Sequence, residues 1–506
     1  MKSLITPGDM RDMEQRFFRE TGTASIDLME RAALELCDGI VRRYGRNRTV
    51  FFACGPGGNG GDGYACARMY ARQGGRAAVF SAGLPQSPDA VENLQRARQA
   101  GVSELELDAC AEAPDLWVDA LFGTGLSRAP SGEAARLIDR MNADRDRGSA
   151  VIAVDIPSGL HGLTGSAWRP CVRADATFTF QYAKPGCFLG DGLDTAGEVE
   201  VLGIGIPAEY FPDGQPALVD AEDLRRALPH RPRNFHKGNC GKLLIVAGSF
   251  GMAGAAALAA NAALRSGVGL VTVACPASVV PMLQILAPCA TCLPLPEANG
   301  AISGEALPML AAALEGRDAA ACGCGLSRRC SPEIVRLMMT SGLPTVFDAD
   351  ALNLIAEDVS LKRALRPHHV ITPHPGEAAR LLGRALTEPI EDACALRTLN
   401  CQVVLKGATS VIPCGNRALL STSGGCGMAQ GGSGDCLTGV IGALMAQRAA
   451  SAGASGPSGA TLAECAAVGS ELHGLAGELA QSRKGIRGMT AVDLVEALPE
   501  VFLRYE

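Results

Sequence analysis

An aspartate at the junction between a glycine-rich loop and a helix is the residue of this sequence that points most directly to chemistry. Residues 424–439 read GGCGMAQGGSGDCLTG, in which glycines let the backbone approach an anion and the apolar run 436–445 predicts a helix. Because a helix N-terminus attracts phosphate, an acid placed there needs a role at the reacting group. We therefore expect Asp435 to act as a general base beside a transferred phosphoryl group. Helix capping is the alternative, since aspartate is a favoured N-cap residue.

Three further loops of the second half follow apolar runs and carry polar side chains. In TPHPGEAARLL, His374 precedes a predicted helix and could face a ligand, or be an ordinary core or exposed histidine. In LKGATSVI, Lys406 and small hydroxyl residues could hold nucleotide phosphates, although a hairpin turn has the same composition. In FDADALN, Asp348 and Asp350 could bind magnesium or orient a loop, and capping of the next helix is equally compatible.

Three loops of the first half also end apolar runs: GPGGNGGDG, DALFGTGL and DIPSGL. The glycine spacing of GPGGNGGDG alone indicates dinucleotide binding only weakly. Asn59, Asp119 and Ser158 supply side-chain oxygens, which suit a hard monovalent or divalent cation better than zinc. Asp155, after the apolar run 151–154, is a candidate acid/base group in a partly desolvated site. Its alternative role is to cap the turn IPSG.

The nineteen cysteines follow no regular framework, which favours reduced and mostly buried thiols. Cys322, Cys324 and Cys330 form the densest group and could be drawn as zinc ligands. Their flanks, DAAACGCGLS, are more typical of a buried strand that runs into a glycine turn.

Length and charge exclude several protein classes. A chain of 506 residues suffices for two or three domains, of which we expect two. The formal charge of -7 and the lack of a basic stripe argue against nucleic acid as a partner. The N-terminal residues lack the apolar core of a signal peptide, and no run of about 18 apolar residues predicts a membrane span. We expect a cytoplasmic protein with no membrane partner.

Short apolar runs alternate with helical patterns in both halves, which predicts parallel sheets built from βαβ units. A Pro- and Gly-rich stretch over 207–240 places a domain boundary near residue 220, and residues 450–459 are expected to form a surface loop between two helices. The predicted strands are 49–54, 77–80, 116–121 and 150–154 in the first half, and 242–247, 268–274, 345–347, 370–372 and 401–405 in the second.

The four loops of the second half together resemble the ribokinase-like dehydratase domain of the NAD(P)H-hydrate repair enzymes. The similarity runs from HKGNCGKLLIVAGSFGMAGAAALAANAALRSGVGLV through CGCGL, FDADALN, TPHPGE and KGATS to GGSGDCLTG. The first half resembles the epimerase domain that is fused to this dehydratase in prokaryotes. The resemblance implies an α/β protein, with a Rossmann-like three-layer domain over 1–215 and a ribokinase-like α/β domain over 221–506.

The resemblance further implies repair of nicotinamide cofactors whose reduced ring has taken up water and carries a hydroxyl at carbon 6. The epimerase half would interconvert the two epimers of NADHX and NADPHX, with Asp155 as acid/base group and K⁺ held by Asn59, Asp119 and Ser158. The substrate-binding residues implied here are Gly58, Asn59, Gly60, Gly61, Asp62, Gly123, Thr124, Gly125, Leu126, Ser127, Arg128, Ala129 and Asp155.

The dehydratase half would phosphorylate the hydroxyl of the S epimer, with Asp435 as base, and elimination would restore NAD(P)H. By the same resemblance ADP is the donor, leaving AMP and phosphate, with Mg²⁺ to neutralise charge, and the chain assembles into homo-oligomers. The implied hydrate contacts are Ala255, Gly325, His374 and Asp435, and the implied nucleotide contacts are Lys406, Gly407, Ala408, Thr409, Ser410 and Gly434.

Two positions depart from the family pattern. Gly58 stands where the family usually has an asparagine, which removes one amide from the substrate site. Cys324 stands where a proline is common, and we expect a small geometric effect there.

Two other functions fit parts of the sequence. A small-molecule kinase of the ribokinase-like group would release a phosphorylated product, whereas the dehydratase loses it as inorganic phosphate. The first half could also bind a nucleotide or a partner protein without catalysis, which an epimerisation assay on residues 1–215 would distinguish.

Overall fold

The chain folds into two compact units in a computed structural model that describes residues 2–228, 231–452 and 459–506. One unit spans Ser3–Pro216, and the other comprises Lys2 with Ala217–Glu506. We call them the N-terminal and C-terminal units. Residues 453–458, which make up most of the loop expected at 450–459, lie outside the described residues.

The N-terminal unit is built on a seven-stranded parallel sheet in the order β3-β2-β1-β4-β5-β6-β7. Its strands are β1 Thr49–Cys54, β2 Arg76–Ser81, β3 Ser103–Glu104, β4 Leu116–Ala120, β5 Ala150–Val154, β6 Ala176–Phe180 and β7 Glu198–Leu202. Its helices are α1 Pro7–Thr21, α2 Ser25–Tyr44, α3 Gly58–Arg72, α4 Pro88–Gln99, α5 Gly132–Arg145 and α6 Gly192–Thr195.

Helices cover both faces of this sheet. Phe52 and Val118 belong to a core with α1 to α4, while Phe51 and Trp117 belong to a second core with α5. Alternate strand residues point to opposite faces, so the all-apolar runs reflect burial on both sides. The expected Rossmann-like three-layer fold is confirmed.

Local signals fix the ends of α1, which carries part of the site described below. Thr6 is its N-cap, with the Oγ1 atom accepting a hydrogen bond from the Asp9 amide at 3.2 Å, and Pro7 occupies the first helical position. Gly22 ends the helix with a left-handed φ of 71°.

The C-terminal unit contains a second seven-stranded parallel sheet, in the order β10-β9-β8-β11-β12-β13-β14, and an antiparallel pair β15-β16. The strands are β8 Lys242–Val246, β9 Leu270–Pro276, β10 Thr291–Leu295, β11 Ala319–Cys322, β12 Thr345–Phe347, β13 His369–Ile371, β14 Gln402–Val403, β15 Ser410–Cys414 and β16 Arg417–Ser421. The helices are α7 Ala221–Ala227, α8 Ala253–Arg265, α9 Val280–Leu286, α10 Leu307–Leu314, α11 Pro332–Thr340, α12 Ala349–Glu357, α13 Val359–Ala364, α14 Pro375–Leu382, α15 Pro389–Arg397, α16 Ser433–Ala452, α17 Gly459–Lys484 and α18 Ala491–Leu503.

Parallel pairing brings the loops that carry the candidate catalytic and binding residues to one edge of each sheet. In an open α/β sheet, ligands bind beyond the carboxyl ends of the strands. β1, β4 and β5 end at the three loops of the first half. β11 to β14 end at the loops that contain Cys324, Asp348, His374 and Lys406.

Candidate active sites

A cavity of about 620 Å³ opens at the carboxyl edge of the sheet in the N-terminal unit. Residues of α1, the first turn of α3 and the loop after β4 form its wall, together with Asp155. The predicted substrate residues that line it are Gly58, Asn59, Asp62, Gly123, Thr124, Gly125, Leu126, Ser127, Arg128 and Asp155. Gly60, Gly61 and Ala129 are not among its lining residues.

Gly60 and Gly61 are needed for close packing. A Cβ atom on Gly60 would lie 1.8 Å from the Gly55 carbonyl oxygen, and one on Gly61 would lie 2.7 Å from the Met29 sulfur. By contrast, a Cβ on Gly58 would meet no described atom within 4 Å. The asparagine expected at position 58 would therefore fit without a clash at its Cβ.

Helix α3 begins at Gly58, so residues 58–62 form a first helical turn where a loop was expected. This N-terminus opens on the cavity through Gly57, Gly58 and Asn59. Unpaired backbone N–H groups at a helix N-terminus form a site for an anion such as phosphate.

Asp155 follows β5 with a φ of 66°, a left-handed conformation that few residues other than glycine adopt. Its Oδ1 atom accepts hydrogen bonds from Lys184 Nζ, from Thr179 Oγ1 at 3.1 Å and from the Phe180 amide at 3.3 Å. These partners lie in and after β6, whereas capping would have tied Asp155 to the turn IPSG. The carboxylate is thus held by a network at the cavity wall.

Lys184 is a site residue that no sequence motif indicated. Its side chain is 1% exposed, and Nζ also donates to Thr179 Oγ1 at 3.1 Å and the Phe180 carbonyl at 3.2 Å. The available sequence signal was a single lysine in the largely apolar segment QYAKPGCF. A lysine that is buried there requires a charge partner for its ammonium group.

Two further carboxyl groups line the same cavity, Glu14 of α1 and Asp62 of α3. Burial, reinforced by the charge of Asp155, raises the pKa of Glu14 to about 7. Burial and the charges of Asp155 and Glu14 raise the pKa of Asp62 well above its usual range. The cavity therefore holds two carboxyl groups with raised pKa values beside Asp155. Glu14 was missed because no motif surrounds it.

Asp119 and Ser158 lie beneath the cavity and fit a cation. Asp119 is fully buried; it accepts hydrogen bonds from Ser158 Oγ at 2.6 Å, the Ser158 amide at 2.7 Å and the Leu121 amide at 3.2 Å. No cation pairs with it within the described residues, and burial raises its pKa to about 6. The nearby Asn59 has a buried side-chain nitrogen without a partner among the described residues. A buried, uncompensated carboxylate beside hydroxyl and amide oxygens suits a hard cation.

Lys406 joins several loops in the C-terminal unit. Its Nζ atom lies 2.7 Å from Asp348 Oδ1 and 4.0 Å from Glu377 Oε2, and Asp348 Oδ2 accepts from Thr438 Oγ1 at 2.8 Å. A Cβ on Gly434 would lie 3.4 Å from the same Nζ atom. The loops after β12, β13 and β14 thus meet the first turns of α16.

Asp435 lies in the first turn of α16, which begins at Ser433, three residues before the predicted start. Burial raises its pKa to about 6, a hydrogen bond from the Cys324 thiol and the charge of Lys406 act to lower it, and Asp348 acts to raise it. The group is therefore poised to accept a proton near neutral pH. In the loop before it, Gly432 has a positive φ of 97°, whereas Gly431 and Gly434 do not.

The turn after β11 brings Cys324 and Gly325 to this aspartate. Gly325 has a φ of 58°, and a Cβ there would lie 2.9 Å from that of Ala255. Cys324 is buried and interacts with Asp435 through its thiol. The Cys324 thiol therefore lies beside Asp435 and acts to lower the pKa of that carboxyl group.

Two of the predicted alternatives hold at the local level, an exposed histidine and a hairpin-like turn. His374 caps α14: its Nδ1 accepts from the Gly376 amide at 3.0 Å, while half of its side chain remains exposed. The loop 406–410 is also a tight turn, because Leu405 and Val411 exchange two backbone hydrogen bonds of 3.0 Å. Lys406 and His374 nevertheless approach the same Glu377.

Asp348 occupies the N-cap position of α12 but makes no capping hydrogen bond, since its oxygens serve Lys406 and Thr438. Asp350 Oδ2 accepts from the Ser327 amide at 2.8 Å and so orients a loop.

Among the described residues, no group of three or more His, Cys, Asp or Glu side chains could hold a metal ion. All nineteen cysteines are free thiols.

Comparison with known proteins assigns both units. Residues 243–500 match the family model described as NAD(P)H-hydrate dehydratase, and residues 25–186 match that of the YjeF-related protein N-terminus. The bifunctional NAD(P)H-hydrate repair enzyme Nnr of Moorella thermoacetica is 37% identical, over 99% of this chain and 97% of that protein. The chain belongs to the bifunctional NAD(P)H-hydrate repair enzymes.

The Escherichia coli enzyme of this family is 35% identical over 97% of this chain and 92% of its own length. The predicted function, repair of hydrated NAD(P)H by one chain with an epimerase and a dehydratase domain, is confirmed. A crystal structure of a ribokinase-like superfamily protein from Enterococcus faecalis aligns with a TM-score of 0.50 and 23% identity, over 58% of this chain and 98% of that one. It confirms the fold of the C-terminal unit.

Within residues 2–228, 231–452 and 459–506, no helix combines the length and apolarity needed to cross a bilayer.

Proposed function

We propose that the cavity of the N-terminal unit is the epimerase site and that Asp155 exchanges a proton with the hydrate there. The support is the network that holds Asp155: Lys184 and Thr179 fix one carboxylate oxygen, and the left-handed backbone directs the residue to the cavity edge. The N-terminus of α3 and the loop 123–128 would bind the phosphates of the substrate with backbone N–H groups.

K⁺ would be held by Asn59, Asp119 and Ser158. Bound there, it would neutralise a buried carboxylate and connect the loops after β1, β4 and β5. The buried carboxylate of Asp119, which no cationic side chain of the described residues pairs with, supports this assignment.

In the C-terminal unit, we propose that Asp435 takes the proton of the carbon 6 hydroxyl as its oxygen attacks the β-phosphorus of ADP. The bond from this phosphorus to the bridging oxygen breaks and AMP leaves. The phosphorylated hydrate then loses inorganic phosphate and a proton from carbon 5, which restores the ring double bond. Asp435 carries this proposal, because it is a carboxylate with a pKa near neutrality at a helix N-terminus beside a lysine.

Lys406 and Gly434, with residues 407–410, would hold the nucleotide phosphates, while Ala255, Gly325 and His374 would contact the hydrate. Mg²⁺ supplies charge neutralisation on the phosphates when bound. Lys406 is paired with Asp348 and lies near Glu377, so its ammonium group is fixed in advance of nucleotide binding.

The test is restoration of NADH from a mixture of both hydrate epimers with ADP, ATP or no nucleotide. We expect ADP to support the reaction, with equimolar AMP and phosphate, and Asp435→Asn to abolish it while epimerisation continues. A phosphorylated hydrate that accumulates would indicate the small-molecule kinase alternative instead.

Cytoplasmic location and assembly into homo-oligomers stay predictions. The nineteen free thiols support a reducing compartment. Light scattering on the purified chain would measure the oligomeric state.

A further inference from the structure

Glu14 projects from an apolar face of α1 into the epimerase cavity. Met10, Glu14 and Phe18 all line this cavity, and the four-residue spacing puts them on one face of the helix. A carboxyl group between Met10 and Phe18 is not expected for packing alone, because burial disfavours a charged group.

Within the part of the chain that the structure describes, Glu14 has neither a hydrogen bond nor an ion pair. The Glu14 carboxyl group is largely buried, and the charges of Asp155 and Lys184 both act on it. Asp155 is tied to Lys184, whereas Glu14 has no such partner and is exposed to the cavity. The two carboxyl groups therefore differ in kind: Asp155 is held in an ion pair with Lys184, and Glu14 is free to carry a proton.

We propose that Glu14 is the second acid/base residue of the epimerase site and works as the counterpart of Asp155. This inference rests on the proposed function of the cavity. It assigns Glu14 as the proton donor to the departing hydroxyl and Asp155 as the base that receives a proton from the incoming water.

The carbon 6–oxygen bond breaks and Glu14 gives its proton to that oxygen, so water leaves while the lone pair of the ring nitrogen forms a double bond to carbon 6. Water then adds to the opposite face of carbon 6, Asp155 takes its proton, and the electron pair returns to nitrogen. Glu14 has lost one proton and Asp155 has gained one, which is the state required for the reverse conversion.

The charge of the cavity suits this step. The ring is a cation after the hydroxyl has left, and it then lies in a cavity lined by the Asp155 carboxylate and by Glu14, which has become a carboxylate by giving up its proton. At neutral pH the raised pKa of Glu14 keeps part of the population protonated, as a proton donor requires.

The experiment compares two full-length variants with the wild-type chain in the conversion of purified R epimer to S epimer without nucleotide, with the spontaneous rate subtracted. Glu14→Gln preserves shape and removes the proton, so we expect epimerisation to fall about 100-fold or more while dehydration of the S epimer with ADP is unchanged. Asp12→Asn, an equal change in charge on the exposed face of α1, should leave both activities unchanged. Retention of wild-type epimerisation by Glu14→Gln would overturn the proposal.

A measurement on the unmodified protein covers the case in which Glu14→Gln fails to fold. In ¹⁸O-labelled water, each epimerisation should place one labelled oxygen on carbon 6, because the original oxygen leaves. Turnover without label would contradict protonation of a departing hydroxyl. Asp155→Asn separates the two claims: if it loses epimerisation but Glu14→Gln keeps it, only the role of Glu14 fails. If the wild-type chain does not accelerate epimerisation, the proposed function of the cavity falls as well.

Discussion

At the scale of single residues, each site places a reactive carboxyl group where it is partly buried, and the two sites surround that group with different partners. Asp155 is held by the buried ammonium of Lys184. Asp435 receives a thiol hydrogen bond from Cys324 and the more distant charge of Lys406. A direct ion pair fixes the first group, whereas opposing influences leave the second with a pKa of about 6.

Lys184→Met should abolish epimerisation and spare dehydration. Removal of one partner from a buried pair leaves an uncompensated charge and costs about 3–5 kcal/mol. We therefore expect a lower melting temperature for the N-terminal unit together with loss of the R-to-S conversion. An unchanged epimerisation rate would show that the ion pair has no part in the reaction.

Dehydration should fall as the pH drops below about 6, because protonation removes the Asp435 base that has this pKa. The dependence is expected in kcat/KM, which reports the free enzyme. The Cys324 thiol acts to lower this pKa, so in Cys324→Ala the acid-side fall of kcat/KM should occur at higher pH. A fall at the same pH in Cys324→Ala and in the wild-type chain would argue against the thiol contact.

At the scale of elements, the first turn of α3 separates glycines that pack from a glycine that faces open space. Gly60→Ala would place a Cβ 1.8 Å from a backbone oxygen, and such overpacking costs about 1–3 kcal/mol or more. Gly58→Ala is the matched control, because its Cβ would meet no described atom within 4 Å. We expect thermal unfolding to show a loss of stability for Gly60→Ala alone. Equal melting temperatures for the two variants would contradict this packing.

The strands that flank the sites were readable from the sequence because both faces of a parallel sheet are buried. β1 and β5 are largely apolar runs, and β4 is interrupted only by Asp119; all three were predicted nearly to the residue. The edge strands β7 and β10 are half-exposed, and β10 contains Pro294, so neither presents such a run. Helix starts were less accurate, since glycine-rich turns hid the first residues of α3 and α16.

The site residues also divide into those that lie in local sequence motifs and those that do not. Asp155, Asp435 and Lys406 directly follow strands or begin helices, where motifs form. Glu14 and Lys184 approach Asp155 from α1 and from beyond β6, so their roles depend on contacts between distant segments. A carboxylate at helical spacing between Met10 and Phe18 was the one local sign of the cavity face of α1.

At the scale of the whole molecule, one chain joins two chemistries that share a substrate. The dehydratase unit would consume only the S epimer, and the epimerase unit would feed it the R epimer. The two units need only exchange hydrate through solution for repair to be complete.

Potassium offers a test that addresses one unit alone. A ligand that binds only the folded state raises its stability in proportion to the logarithm of its concentration. KCl, compared with choline chloride at equal ionic strength, should raise the melting temperature of the wild-type chain. Asp119→Asn should lose this difference. An equal response of both proteins would place the cation elsewhere.

The most direct test of the central claim follows NADH absorbance and both epimers by chromatography after ADP is added to a mixture of NADHX epimers. The wild-type chain should convert the whole mixture to NADH, with one AMP and one phosphate for each NADH. Asp155→Asn should stop when the S epimer is spent, apart from spontaneous epimerisation. No return of NADH with either ADP or ATP would contradict the assignment of Asp435. Complete return at the wild-type rate by Asp155→Asn would contradict that of the epimerase site.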